Sequence, residues 1–125
     1  MLEETITKPI LRKLVISFYT QVLKDEIVGP IFIDKLGDDL SGPIWSPHLA
    51  LITNFWASIS MGDQDYKGSP FAPHIQLNGL SRAAFERWLK LFYETLDEIF
   101  IPAIADKFKE RSTIIAGNFM RNLGL

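Results

Sequence analysis

The sequence predicts an all-α protein, on three observations. Apolar residues recur at three- and four-residue intervals in four long segments, and no segment alternates convincingly with the period of a strand. The breaks between segments fall at Pro, Gly and Ser positions of the kind that start and stop helices. The 125 residues are 47% hydrophobic and 12% aromatic, which supplies a helical core with apolar surface to spare. That excess implies either a strongly aromatic core or a flat organic group enclosed by the chain.

The first helix is expected from Thr7, with Pro9 in its opening turn and Leu11, Leu14, Val15, Phe18, Val22 and Leu23 on its apolar side. Gly29-Pro30 is expected to stop it, leaving "IFIDKLG" as a short turn or two before the connector "GDDLSGP". Ser46 is expected to cap a second long helix with Pro47 at its first position, running to Gly62. His48, Ile52, Phe55 and Ile59 fall on one side of it, with Leu49 and Trp56 beside them. A polar loop "GDQDYKGS" leads to a short segment framed by Pro70 and Pro73 that stops at Asn78-Gly79. Ser81 caps a third long helix carrying Phe85, Trp88, Leu89, Phe92, Leu96 and Ile99. Pro102 opens a fourth, with Ile104, Phe108, Ile115 and Phe119 inward. The stripes are wide enough for a helix to face a neighbour and a second apolar object at once. With no repeat or linker, residues 1–125 read as a single domain.

Charge and cysteine usage exclude several functions. Thirteen basic and fifteen acidic residues lie scattered with no Lys/Arg cluster, which argues against nucleic acid as a partner. The absence of cysteine removes disulfides, thiolate metal sites, iron–sulfur ligation and a Cys nucleophile. No signal pattern or bilayer-length apolar run is present, so the expectation is a cytoplasmic protein without a membrane partner. Neither a Ser/His/Asp arrangement nor a phosphate-cradling glycine loop occurs, and the histidine spacing does not suit a compact zinc site.

The two histidines carry the chemical interest. His74 follows Pro73 on a short, stiff element. It reads either as a helix-start histidine bonded to backbone or water, or as an iron ligand whose second nitrogen donates to a carbonyl near Pro70 or Phe71. His48 sits in the first turn of its helix, where the macrodipole keeps the ring neutral. It is either exposed or part of a cavity wall. A helix of about 13 residues covers roughly 20 Å, and the loop after it lets the two rings approach a planar ligand from opposite faces. Tyr19 and Trp88 each carry a donor that costs about 1–3 kcal/mol if buried unpaired. Trp45 and Trp56 are assigned mostly to packing.

Taken in order, "FY" at 18–19, "GPIF" at 29–32, "WSPHLALITNFW" at 45–56, "YKGSPFAPH" at 66–74 and "FERWLKLF" at 85–92 resemble the third group of the truncated haemoglobins over nearly the whole chain. The glycine-pair motifs of the other truncated globins are missing here as in that group. The resemblance implies a two-over-two helical sandwich around haem b (iron protoporphyrin IX), with His74 as the proximal iron ligand. It implies Tyr19, His48 and Trp88 as the distal polar residues, Ile52 as distal wall and Phe32 against the haem edge. Phe55, Leu77, Trp88 and Ile115 would be further haem contacts, and Tyr66 and Lys67 would reach a propionate. Ser112 departs from the family's alanine, and Pro47 leaves the orientation of His48 open. An open sixth position would take dioxygen, nitric oxide, carbon monoxide or cyanide. Strong distal hydrogen bonding would suit nitric oxide dioxygenation or peroxide handling by a monomer served by a reductase. A haem-based gas sensor and a haem-free helical interaction module are the alternatives; the first needs an output surface, and the second would leave His74 dispensable.

Overall fold

The computed structural model describes residues 2–61 and 79–125. Its helices are α1 (Lys8–Lys24), α2 (Gly29–Leu36), α3 (Trp45–Met61), α4 (Arg82–Ile99) and α5 (Pro102–Leu123). Among the described residues there is no strand, only an isolated bridge between Glu3 and Phe100 that ties the N-terminal segment to the α4–α5 turn.

Helix α1 starts as its sequence demands. Thr7 is extended and its hydroxyl accepts from the Ile10 N–H at 3.3 Å, while Pro9 occupies a position whose N–H would have no partner. Leu11, Leu14, Val15, Phe18, Tyr19 and Val22 are buried at the expected spacing. Its end differs from expectation. The helix stops at Lys24, and Gly29-Pro30 opens α2 instead of closing α1. The stop comes from Asp25, which turns extended; its Oδ2 accepts from the N–H groups of Ile27 and Val28, both at 3.0 Å. Gly29 is required by closeness: a Cβ there would lie 3.0 Å from the carbonyl oxygens of both Val22 and Leu23. The short helix that follows buries Phe32.

The start of α3 also departs from the reading above. It begins at Trp45, with the Ser46 N–H already donating to Gly42 O at 3.0 Å, so Ser46 lies inside the first turn and does not cap it. The chain before it is pinned by Trp45, whose indole N–H donates to Gly37 O at 2.7 Å. Leu49, Thr53, Trp56 and Ala57 form the buried stripe of α3, whereas His48, Ile52, Phe55 and Ile59 are half-buried beside it. The expected end at Gly62 lies outside the described residues.

Ser81 caps α4, its hydroxyl accepting from the Ala84 N–H at 3.1 Å. Helix α5 runs antiparallel to α4, since Asp97 meets Lys109, Tyr93 meets Thr113 and Phe85 meets Phe119. The buried stripe of α5 is Ala105, Phe108, Ser112, Ala116 and Phe119. Ile104 and Ile115, expected inward, flank it half-buried. Ser112 is satisfied by donating to Lys109 O at 3.0 Å. Gly124, left-handed at φ 75°, ends the helix, and the Leu125 N–H bonds back to Met120 O.

Helix α1 packs on α3, α4 packs on α5, and α1 crosses α4, giving two pairs of helices laid one over the other. Rings fill the crossing. Phe18 lies 4.8 Å from Tyr19, 5.0 Å from Phe92 and 5.2 Å from Trp88; Trp56 stacks on Phe92 at 5.2 Å and meets Phe108 at 5.6 Å. Most of the expected excess of apolar surface is spent here. No helix among the described residues is long and apolar enough to cross a membrane.

Candidate functional site

Four elements converge on one aromatic wall. Tyr19 on α1 is buried, with its ring 5.5 Å from Phe32 on α2, 5.3 Å from Trp45 and 6.2 Å from His48 on α3. From α4, the Trp88 side chain hydrogen-bonds Tyr19. An indole has only a donor, so the Tyr19 oxygen accepts in that contact. Burial pushes the Tyr19 hydroxyl well above its ordinary range, outweighing the opposite influence of the Trp88 bond, so the group stays neutral and stays a donor. His48 is half-buried, with its ring 5.4 Å from that of Trp45.

Next to this polar cluster lies a small apolar cavity of about 20 Å³ lined by Val28, Ile31, Phe32, Ala84, Phe85, Trp88 and Phe119, with Leu80 at one side. That is space for about one water-sized molecule. Phe32 and Trp88 belong to both pocket and cluster. The half-buried row on α3 continues an apolar surface away from His48 at helical spacing through Ile52, Phe55 and Ile59. Ile115 lies on α5 where the main core meets a smaller cluster around Phe85 and Phe119.

Of the residues singled out from sequence, Tyr19, His48, Trp88 and Phe32 are thus brought together. Ile52 and Phe55 lie one and two turns along α3 from His48, and Ile115 comes from α5. His74, Tyr66, Lys67 and Leu77 lie outside the described residues. Among the described residues, no cluster of three His, Asp or Glu side chains is placed to hold a metal ion. Sequence reasoning missed Trp45, which it gave to packing. Its place three residues before His48 puts both on one helix face, and that spacing was the available signal. It also missed Phe85 and Phe119 as pocket walls, and Asp25 and Arg87, whose pairing across 62 positions leaves no local pattern.

These features define a class: two crossed pairs of helices around an aromatic core, with polar-tipped rings from three helices gathered beside a small apolar cavity. No protein-family model matches the chain. It is 38% identical over 120 residues to the group 3 truncated hemoglobin ctb of Campylobacter jejuni, an alignment covering 96% of this chain and 93% of that protein. The crystal structure of the group III truncated hemoglobin from Campylobacter jejuni superposes with a TM-score of 0.89 at 37% identity, covering 98% of this chain and 95% of that one. The chain belongs to the group 3 truncated haemoglobins, and its fold is the two-over-two globin sandwich.

Proposed function

We propose that the protein binds haem b and, on it, dioxygen and other diatomic ligands reversibly, using its distal donors for small-molecule redox chemistry as a cytoplasmic monomer. The observation that carries this reading is the Tyr19 hydroxyl, kept neutral by burial, among the rings of Phe32, Trp45 and His48 and beside Trp88.

The residues present fit a porphyrin. The half-buried row Ile52, Phe55 and Ile59 on α3, with the aromatic side chains Phe32, Phe85 and Trp88, offers the apolar contacts that a flat macrocycle needs. Phe32, Ile52, Phe55, Leu77, Trp88 and Ile115 would hold the ring, Tyr66 and Lys67 would reach a propionate, and His74 would be the protein's ligand to iron. Bound, haem supplies an iron with a coordination position open to gases.

The chain's own residues set what happens to such a gas. Tyr19 would donate a hydrogen bond to a ligand that gains partial negative charge, a bond worth about 1.5–3 kcal/mol when charge-assisted. Trp88 holds the Tyr19 oxygen and so fixes where that proton points. His48 stands at the same wall as a further polar group. Phe32 and Phe85 exclude water, which strengthens each of these bonds. Tight holding argues against delivery of dioxygen and for its conversion. Nitric oxide, dioxygen and one electron together make nitrate, so turnover calls for a reductase.

The test is rapid mixing of the dioxygen complex with nitric oxide and, separately, with peroxide. Stoichiometric conversion to nitrate that cycles under a reductant is expected. Failure to bind dioxygen at all overturns the reading, while reversible binding without conversion restricts it to a binder or sensor.

A further inference from the structure

We infer that Asp25 and Arg87 form a positioning pair that keeps Trp88 in register to donate to Tyr19. Arg87 immediately precedes Trp88 on α4, and its Nε and Nη2 both reach Oδ1 of Asp25 at 2.7 Å. Asp25 is the residue at which α1, the helix of Tyr19, ends. The ion pair therefore links the helix that gives the hydrogen bond to the helix that receives it.

Three properties suit the pair to this task. The Asp25 side chain is only 4% exposed, so solvent does not compete for it. Its second oxygen is taken by the N–H groups of Ile27 and Val28, so the carboxylate is held from both sides and cannot follow a wandering guanidinium. Burial tends to raise its pKa, but the bonds from Val28, Arg87 and Ile27 and the Arg87 charge outweigh that and hold it below the usual carboxylate value, ionised at neutral pH. Other contacts between α1 and α4 near the site include the ring contacts of Phe18 with Trp88 and Phe92, which tolerate sliding. A hydrogen bond does not. A slip of one residue along a helix is about 1.5 Å, enough to take an N–H···O contact beyond its useful range of about 2.7–3.2 Å. By holding the Ile27 and Val28 N–H groups just ahead of α2, the same carboxylate also fixes the turn that leads Val28, Ile31 and Phe32 to the cavity.

The geometry of the pair does not depend on haem, but its consequence for gas release rests on the function proposed above. The experiment is hydrogen exchange of the indole N–H groups, followed by NMR on the full chain with and without added hemin, in wild type, Asp25→Asn, Arg87→Gln and Arg87→Lys. Trp45, bonded to Gly37 O, serves as the internal reference for an intact fold. Asp25→Asn and Arg87→Gln are each expected to lower Trp88 indole protection about tenfold while Trp45 is unchanged. Arg87→Lys, which keeps the charge but loses the planar fork, is expected to restore only part of it. With hemin bound, dioxygen release is expected to quicken in the same order. Unchanged Trp88 protection overturns the inference, and so does an equal loss at Trp45 and Trp88, which would make the pair merely structural. Should wild type refuse hemin, the functional reading falls, and the indole comparison on the hemin-free chain still decides the positioning role.

Discussion

A phenol with 2% of its surface exposed has few ways to satisfy its oxygen, and Tyr19 solves this by accepting from Trp88. The bond turns two donors into an ordered chain in which Trp88 aims and Tyr19 delivers. Trp88→Phe keeps the ring against Phe18 and Phe92 but removes the aiming bond. Dioxygen dissociation measured by ligand displacement is expected to quicken by about tenfold, the effect of about 1.4 kcal/mol; an unchanged rate contradicts the role. The raised Tyr19 pKa makes a second prediction. The folded group ionises only above the value of about 10 found in an unfolded chain, so the release rate should show no tyrosine titration between neutral pH and about pH 10. Stability should instead fall as pH rises past about 10, where only the unfolded chain ionises. Of this residue-scale picture, Tyr19, His48 and Trp88 stood out in the sequence as polar-tipped rings among apolar neighbours, whereas their common distal role, and Phe32, came only from the resemblance to the truncated haemoglobins. Trp45 was not, since an indole that anchors a loop and one that fills a core look alike until its acceptor, Gly37 O, is placed.

Between elements, the α1–α2 corner decides most of the site's shape, and it is where the sequence misled. Gly and Pro in succession read as a helix stop, yet the stop was already made by Asp25, and Gly29 is there because α2 starts against the carbonyls of Val22 and Leu23. Long-range crowding of this kind has no local signature. Gly29→Ala should destabilise the fold by about 1–3 kcal/mol through that clash, measured as a lower urea midpoint; no change would mean the corner can relax freely. Asp25→Asn should behave differently with pH. Its folded pKa is depressed, so its stabilisation is present above about 3.9, the value in an unfolded chain, and is lost as pH falls through the folded value. The variant should be less stable than wild type at pH 7, with the gap closing as pH approaches 3 by the same unfolding assay. A gap independent of pH would remove the carboxylate charge from the explanation.

For the molecule as a whole, periodicity was enough to place the four long helices, because each buries a continuous stripe; three also carry a start signal at Thr7, Ser81 or Pro102, while α3 begins at Trp45 without the expected Ser46 cap. What it could not assign was which half of each wide stripe meets protein. On α3 the answer is Leu49, Thr53, Trp56 and Ala57, leaving His48, Ile52, Phe55 and Ile59 half-buried. On α5 the buried stripe is Ala105, Phe108, Ser112, Ala116 and Phe119, with Ile104 and Ile115 half-buried beside it. Partner helices, not local pattern, make that choice. The leftover apolar face, together with the pocket between α2, α4 and α5, is the feature that a porphyrin would cover. Hemin titration of the purified chain, alongside His74→Ala, tests this most directly. The account predicts a Soret band that grows to an equimolar end point in wild type and weak, easily lost hemin in His74→Ala. A chain that develops no Soret band, or a His74→Ala variant that retains hemin as tightly as wild type, would contradict it.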